Sequence, residues 1–242
     1  MPNGSHAGQR RATLAERSYA LMLYDSHQRS AYSCQIIAGV DEVGRGCLAG
    51  PLVAAAVIFP DRFYIPGLDD SKALSPAQRS AVAARVCRTA LCWAVAFVPA
   101  TYIDTHGLTA ANMAAMRQAV TGLRIAPELV LSDGYPISQS PFPNKAVVHG
   151  DATSQVIAGA SCLAKVVRDS WLAHLGEALY PGYGWERNAG YATREHRQTL
   201  AVLGVTPEHR ALFLKGCDVW NNTASDPSNL NCLQQLPLLK AD

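Results

Sequence analysis

Two adjacent carboxylates and a glycine-flanked arginine stand at the end of an apolar segment. The run from Ile36 to Val40 leads directly into Asp41 and Glu42, and Gly44-Arg45-Gly46 follows. Carboxylate oxygens are the ligands that Mg²⁺ or Mn²⁺ prefers. The glycines leave backbone N–H groups unhindered, and a guanidinium binds phosphate well. Metal and phosphate chemistry in one short segment predicts an enzyme that acts on a phosphodiester or a nucleotide.

Two further apolar runs also end in an acid. Leu131-Ser132 leads into Asp133, and Val148-His149-Gly150 leads into Asp151. In open α/β sheets, ligands bind outside the carboxyl ends of the strands, so residues that end neighbouring strands can meet there. Crowded carboxylates repel one another, and such a cluster persists at neutral pH only if cations neutralise it. The pattern therefore predicts a divalent-metal site, with two ions expected.

Each of these acids also has a structural interpretation. Aspartate often follows a strand because it forms Asx-turns, and Asp133 precedes a glycine in a favourable turn sequence. Taken singly, Asp133 and Asp151 are better explained as turn residues, and only their coincidence with the Asp41-Glu42 pair favours ligands. Adjacent strand residues point to opposite faces, so Asp41 and Glu42 share one site only if the strand ends or twists there.

The glycines at 44, 46 and 50 also resemble, superficially, a dinucleotide-binding loop. Such a loop requires a helix next, with its N-terminus facing a pyrophosphate. Here the apolar run at 53–59 has the character of a strand, and the acid pair would repel a pyrophosphate. A dinucleotide-binding fold is therefore disfavoured.

Composition limits the class of protein. The chain has 242 residues, of which 49% are hydrophobic, enough for one sizeable α/β domain with an appended piece. Its seven cysteines are odd in number and form no C-x-x-C pair, so neither a disulfide framework nor a zinc site is indicated. No apolar run approaches the ~20 residues of a membrane-spanning helix, and we expect a cytoplasmic protein without a membrane segment. A net charge of +2 is too mild to establish nucleic-acid binding by itself.

Strand-like and helix-like segments alternate along the chain. Strands are predicted at 36–40, 53–59, 94–98, 128–132 and 146–148. Helices are predicted at 75–93, 109–123 and 154–179, after Thr193 to near Gly204, and from Thr206-Pro207-Glu208 onwards. This order is typical of an α/β domain that ends in short helices.

Several motifs together resemble the ribonuclease HII family, the type 2 ribonucleases H. Asp41-Glu42-Val43-Gly44-Arg45-Gly46, followed by Leu48-Ala49-Gly50-Pro51, is similar to the signature of that family. Other matching segments follow in the family's order: Asp70-Ser71-Lys72, Asn112-Met113, Ser132-Asp133-Gly134, Gly150-Asp151 with Ala164-Lys165-Val166-Val167-Arg168-Asp169, and Gly190-Tyr191-Ala192-Thr193 with His196. The resemblance covers residues 36 to about 215.

The resemblance implies an α/β, ribonuclease H-like fold, in which helices flank a mixed five-stranded sheet and a helical extension lies at the C-terminus. The catalytic domain would span residues 34–220, with its C-terminal helical part at about 180–220. We expect residues 1–33 to form an N-terminal leader or helix, and residues 221–242 a flexible tail.

The same resemblance implies an endonuclease that hydrolyses the RNA strand of RNA/DNA hybrids. It would also nick duplex DNA 5′ of a single embedded ribonucleotide, leaving 5′-phosphate and 3′-hydroxyl ends. Asp41, Glu42, Asp133 and Asp151 match the four catalytic acids of the family, which hold two Mn²⁺ or Mg²⁺ ions. One ion generates the attacking hydroxide and the other stabilises the leaving oxygen, the ions being about 3.5–4 Å apart. The expected partners are these nucleic acids, and the expected state is a monomer.

Two elements match the parts of the family that recognise the RNA–DNA junction. Distinguishing RNA from DNA requires contact with the 2′-hydroxyl, which the backbone of Gly44-Arg45-Gly46 can approach closely. The ring of Tyr191 would pack on the adjacent deoxyribose. Without the resemblance, Tyr191 would be interpreted as a half-buried aromatic in a helix-entry turn.

Three basic residues are candidates for phosphate contacts: Lys72, Lys165 and Arg168. An equally good interpretation makes Lys165, Arg168 and Asp169 a helix surface with structural ion pairs. The chain departs from the family at Cys47, where proline is usual.

Two other functions stay open. One is a related nuclease that needs a run of ribonucleotides, and the other is a non-catalytic module that binds RNA/DNA hybrids. A binder has no reason to keep mutually repelling carboxylates, which argues against the second.

Overall fold

The computed structural model describes residues 13–69 and 71–214, and the predicted tail at 221–242 lies outside them. Five strands form one sheet: β1 (Ile37–Val43), β2 (Leu52–Ile58), β3 (Cys92–Val98), β4 (Leu129–Asp133) and β5 (Asn144–Val147). Their order across the sheet is β3-β2-β1-β4-β5. The β2 strand is antiparallel to β1 and β3, whereas β1, β4 and β5 run parallel. The predicted mixed five-stranded sheet is confirmed.

The helices cover both faces of this sheet. They are α1 (Leu14–Tyr32), α2 (Pro76–Thr89), α3 (Ala100–His106), α4 (Leu108–Thr121), α5 (Gln155–Trp171), α6 (Glu177–Leu179), α7 (Trp185–Asn188), α8 (Arg194–Leu203) and α9 (Ala211–Leu214). A π-helical turn, Leu172–Gly176, joins α5 to α6, so the predicted helix at 154–179 corresponds to these three pieces. In the described ranges, no helix is both long and apolar enough to cross a membrane.

The central strand β2 is buried on both faces, which explains its continuous apolar sequence. Val53 and Val57 face the cluster that contains α5, whereas Leu52 and Ile58 face the cluster that contains α4. Gly39 in β1 allows α5 to approach closely, because a Cβ there would lie 2.2 Å from the Val156 carbonyl carbon. The first of these cores thus holds α5 against β1, the strand that carries Asp41.

Helix α1 is joined to the start of α5 by a buried carboxylate. The two oxygens of Asp25 accept hydrogen bonds from the Ser154 hydroxyl at 2.6 Å and from the Val156 N–H at 2.9 Å. Burial raises the pKa of Asp25 to about 7, although these hydrogen bonds and Arg29 act in the opposite direction. Asp25 therefore satisfies an N–H at the start of α5 that would otherwise lack an acceptor.

Two boundaries differ from the sequence-based prediction. The helix predicted at 75–93 ends at Thr89, and Trp93 lies in β3, where it pairs with Val57. The cause is pairing with β2, whose seven residues all find partners in β3. Helix α3 was not predicted, although Pro99 stands at its N-cap with the extended backbone typical of that position.

The helix predicted from Thr206-Pro207-Glu208 is wrong. Thr206 instead donates its N–H to Nδ1 of His209 at 2.9 Å, and the chain forms a tight turn. The short helix α9 begins only at Ala211. Its first N–H groups are capped by Asp104 of α3, which accepts from Ala211 at 3.0 Å and from Leu212 at 2.9 Å.

We expect Asp25→Ala to destabilise the protein by about 3 kcal/mol, because a buried hydroxyl and a buried N–H lose their acceptor. Urea unfolding followed by circular dichroism measures the change. Ser30→Ala, an exposed change on the same helix, is the control and should alter the free energy of unfolding little. Equal stability of Asp25→Ala and the wild type would contradict the role of this cap.

Candidate active site

Three aspartates meet at the carboxyl edge of the sheet. Asp41 lies near the end of β1, Asp133 ends β4, and Asp151 lies in a 3-10 turn, Gly150–Ala152, just after β5. Because these three strands are parallel, their ends lie side by side. Each aspartate offers a carboxylate oxygen, and these three oxygens lie within 4.8 Å of one another. The predicted convergence of the strand-terminal acids is therefore present.

Neighbouring groups fix the orientation of each carboxylate. Asp41 accepts from the N–H of Glu42 at 2.8 Å and from the hydroxyl of Ser161 on α5. Asp133 accepts from the N–H of Gly150 at 2.6 Å. Asp151 accepts from the Lys72 ammonium at 2.8 Å. Hydrogen bonds from the protein thus orient all three carboxylates, and Lys72 adds a positive charge beside Asp151.

The electrostatic cost of the cluster appears in its pKa values. Burial raises the pKa of Asp41 well above its usual range, and the nearby charge of Glu42 adds to the effect. Burial also raises the pKa of Asp133, with a smaller contribution from Asp151. Such groups stay ionised at neutral pH when a cation is close. Oxygen-only donors, small separation and mutual repulsion together fit a hard divalent cation.

Glu42 is placed differently from the three aspartates. Strand β1 continues through Val43, yet Glu42 lines the same cleft as Asp41, and together with burial its charge raises the pKa of Asp41. The strand therefore does not end before Glu42, and the two carboxylates nevertheless border one space. The Glu42 carboxylate lies 3.5 Å from the Arg45 guanidinium. Burial nevertheless raises its pKa, and Arg45 opposes that shift.

The predicted residues surround one cleft of about 270 Å³. Its lining includes nine of the eleven site residues predicted from the sequence: Asp41, Glu42, Gly44, Arg45, Gly46, Lys72, Asp133, Lys165 and Tyr191. The other two, Asp151 and Arg168, are buried, with exposed fractions of 5% and 0%. The acids and the elements predicted to recognise the sugar therefore border a common space.

Two lysines, Lys72 and Lys165, line this cleft. Lys72 is 80% exposed and contacts Asp151. Lys165 lies 5.2 Å from the centre of the Tyr191 ring and pairs with Asp169 at 3.0 Å, one helical turn away. Lys165 thus forms the ion pair expected of a helix surface and also lines the cleft. The two interpretations of this residue are compatible.

Arg168 is neither a surface group nor part of an ion pair among the described residues. Its guanidinium donates to the carbonyl oxygens of Pro51 at 2.8 Å, Ala189 at 2.8 Å and Ala49 at 2.9 Å. Gly44 has a φ of +94°, and a Cβ there would lie 2.3 Å from Nε of Arg168. The first glycine of Gly44-Arg45-Gly46 is thus needed both for its backbone angle and for the room that Arg168 occupies.

Tyr191 is held by a chain of two buried histidines. Thr206 donates to Nδ1 of His209, whose Nε2 lies 3.1 Å from Nε2 of His196. Nδ1 of His196 lies 2.8 Å from the Tyr191 carbonyl oxygen, which can only accept. These partners assign the protons: Nε2–H of His209 donates to His196, and Nδ1–H of His196 donates to Tyr191. Both imidazoles are therefore neutral.

Besides the apolar Val43, three polar residues of the cleft were not predicted as site residues: Ser71, Arg79 and Ser161. The Ser161 hydroxyl donates to Asp41, and its oxygen lies 3.0 Å from the hydroxyl oxygen of Ser71. Arg79 donates to the carbonyl oxygens of Ser71 at 2.8 Å and Leu74 at 2.9 Å and so holds the segment that carries Lys72. Serine is too common to signal such a role, and Arg79 lies in the first turn of a predicted helix, where a solvated charge is the ordinary interpretation.

Asp41→Asn should raise the melting temperature of the protein in chelator by about 2–4 °C, or about 1 kcal/mol. The pKa of Asp41 is higher in the folded than in the unfolded protein, so its ionisation at pH 7.5 opposes folding, and a neutral amide removes that cost. Differential scanning fluorimetry with EDTA gives the comparison. Glu186→Gln, which neutralises an exposed acid, is the control. A lower melting temperature for Asp41→Asn would contradict the predicted repulsion.

The histidine pair predicts a loss of stability in mild acid. Burial lowers the pKa of His209 to about 3, whereas the unfolded value is near 6.5, so the unfolded chain binds the extra proton as pH falls below 6.5. Between pH 7.5 and pH 5, this one group should cost about 2 kcal/mol of stability. His209→Gln should remove that part of the pH dependence in urea unfolding, whereas the exposed control His106→Gln should keep it. Equal pH dependence of all three proteins would refute the assignment of neutral histidines.

Comparison with known proteins places this site in a family. A family model described as Ribonuclease HII matches residues 38–215. The Ribonuclease HII of Geobacillus kaustophilus is 44% identical over 206 residues, which are 84% of this chain and 77% of that protein. The Ribonuclease HII of Paracidovorax citrulli is 49% identical over 178 residues, 74% of each chain. The crystal structure of the ribonuclease H2 from Pyrococcus horikoshii is similar in fold, with a TM-score of 0.68 and 23% identity over 79% of this chain and all of that one.

Proposed function

Since the chain belongs to the ribonuclease HII family, metal-dependent endonucleases that hydrolyse RNA in RNA/DNA hybrids, we propose that it nicks duplex DNA at single ribonucleotides. The cut falls on the 5′ side of the ribonucleotide and leaves 5′-phosphate and 3′-hydroxyl ends. One observation carries the proposal: the three-aspartate cluster, the Gly44-Arg45-Gly46 loop and Tyr191 all belong to one site. Cutting groups and sugar-recognising groups can therefore act on the same nucleotide.

Asp41, Asp133 and Asp151 would hold Mn²⁺ or Mg²⁺, and Glu42 would complete the set as the fourth acid. Two such ions, when bound, supply an activated water and offset the charge that develops on the leaving oxygen. The chain's own contribution is the fixed direction of its acceptors. Ser161 orients Asp41, and the N–H of Gly150 orients Asp133.

The basic residues of the cleft would hold the backbone of the duplex. The Arg45 side chain is 43% exposed and that of Lys72 is 80% exposed, so both can reach phosphates outside the acid cluster. Lys165 lies deeper, beside Tyr191. Arg168 donates to carbonyl groups, and its part in substrate binding is to support the loop rather than to contact phosphate.

Gly46 and Tyr191, which also line the cleft, would recognise the sugar. Gly46 has open space where a Cβ would stand, which lets its backbone approach the ribose 2′-hydroxyl. Tyr191 is 38% exposed, and its ring can stack on the adjacent deoxyribose. A ribonucleotide next to a deoxyribonucleotide is the substrate that satisfies both contacts.

The direct test incubates purified protein with a DNA duplex that contains one ribonucleotide, in Mn²⁺ or Mg²⁺. We expect one cut on the 5′ side of the ribonucleotide and none in the matched all-DNA duplex. Asp41→Asn should lower turnover by at least a thousandfold, because the cluster loses a charged ligand. Absence of cleavage with either metal would overturn the proposal, and full activity of Asp41→Asn would overturn the role of the cluster.

The same assay, with other duplexes and a metal titration, distinguishes two rival functions. A nuclease that needs a run of ribonucleotides would cut duplexes with four ribonucleotides but not with one, so a length series distinguishes it. A non-catalytic hybrid-binding module would bind the duplex without cutting, and calorimetric titration with Mn²⁺ would show no metal binding even with the duplex present.

A further inference from the structure

A second buried arginine lies beneath the Gly44-Arg45-Gly46 loop. Arg210 is 0% exposed, and its Nη1 donates to the carbonyl oxygens of Gly44 at 2.6 Å and Arg45 at 3.1 Å. Its Nε and Nη2 both donate to the carbonyl oxygen of Gly50, at 3.1 and 2.7 Å. One guanidinium thus binds both ends of the segment from Gly44 to Gly50, which contains the Gly44-Arg45-Gly46 loop.

Burying this charge has a cost that the loop offsets. Burial lowers the pKa of Arg210 to about 10, and the nearby positive charge of Arg168 acts in the same direction. Within the described chain, neither guanidinium forms an ion pair with a carboxylate. Their compensation comes from charge-assisted hydrogen bonds to main-chain carbonyls. Two arginines are therefore committed to the shape of one loop.

The direction of those carbonyls determines the direction of the N–H groups. In a trans peptide the C=O and the following N–H point in opposite directions. The carbonyls of Gly44 and Arg45 point at Arg210, so the N–H groups of Arg45 and Gly46 point away from it. In the described part of the chain neither N–H has an acceptor, and both residues line the cleft.

We propose that Arg210 is a positioning residue, which turns the loop carbonyls inward so that the N–H groups of Arg45 and Gly46 are presented to the sugar of the ribonucleotide. The inference rests on the proposed function, because it explains how that function distinguishes ribose from deoxyribose. The loop and the Tyr191 segment are further tied together, since Leu48 donates to the Gly190 carbonyl oxygen at 2.9 Å. Loop and ring therefore keep a fixed spacing.

Arg210→Lys tests the proposal, because an ammonium keeps the charge but cannot span the carbonyls of Gly44, Arg45 and Gly50 at once. Binding is measured by fluorescence anisotropy in Ca²⁺, with a duplex that contains one ribonucleotide and a matched all-DNA duplex. We expect the preference for the ribonucleotide duplex to fall about tenfold, as for the loss of a hydrogen bond to the sugar, with the all-DNA affinity unchanged. Cleavage of the single-ribonucleotide duplex should fall by a similar factor.

The matched control is Arg29→Lys. Arg29 is 7% exposed and also donates to main-chain carbonyls, those of Gln35 at 3.1 Å and Phe59 at 3.2 Å, at the opposite end of the sheet. It should lose stability but keep the wild-type preference for ribose. A wild-type preference in Arg210→Lys would overturn the inference alone, whereas a wild type that does not cut the single-ribonucleotide duplex would overturn the proposed function.

If Arg210→Lys does not fold, amide hydrogen exchange in the wild type decides. The N–H groups of Arg45 and Gly46 should exchange rapidly in the free protein. They should be slowed by the ribonucleotide duplex at least tenfold more than by the all-DNA duplex. Equal slowing by the two duplexes would overturn the inference.

Discussion

Repulsion among carboxylates is the constraint on which the rest of this structure depends. Asp41, Asp133 and Asp151 would separate if their backbones could move, yet their oxygens lie within 4.8 Å of one another. Parallel strands fix the three main-chain positions, and Gly39 brings α5 close enough for Ser161 to hold Asp41. The burial of two apolar layers thus offsets the repulsion among the acids. The resulting cluster of negative charge favours a cation.

The acid cluster could be predicted because it follows from a rule about sheets. Apolar runs that lead into Asp41, Asp133 and Asp151 indicate three strands, and parallel strands bring their carboxyl ends to one edge. The supporting arginines could not be predicted in this way. Arg168 reaches Pro51 across 117 positions and Arg210 reaches Gly44 across 166, and their acceptors are main-chain carbonyls, which every residue has. In the sequence alone, such an arginine looks like a solvated charge, and only the fold shows that it is buried.

The errors in the helix predictions share one cause, which is that tertiary partners outcompete local signals. Thr206 has the sequence features of an N-cap, but its N–H and hydroxyl are engaged by His209, and Asp104 caps α9 instead. Trp93 fits the apolar pattern of α2, but pairing with Val57 draws it into β3. Where local signals had no such competitor, as at Ser75 and Thr193, the predicted caps are the caps of the structure.

Helix α1 precedes the region matched by the family model, which begins at residue 38, yet it is tied to the site. Arg17 pairs with Asp69 at 2.8 Å, and the Ser18 hydroxyl donates to the Leu68 carbonyl at 2.7 Å, just before the segment that carries Lys72. Asp25 meanwhile fastens the start of α5. The boundary of the family model is therefore not the boundary of the cooperative folding unit. A fragment trimmed to residues 38–215 would keep every acid of the cluster but lose the contacts by which α1 holds the segment before Lys72 and the start of α5.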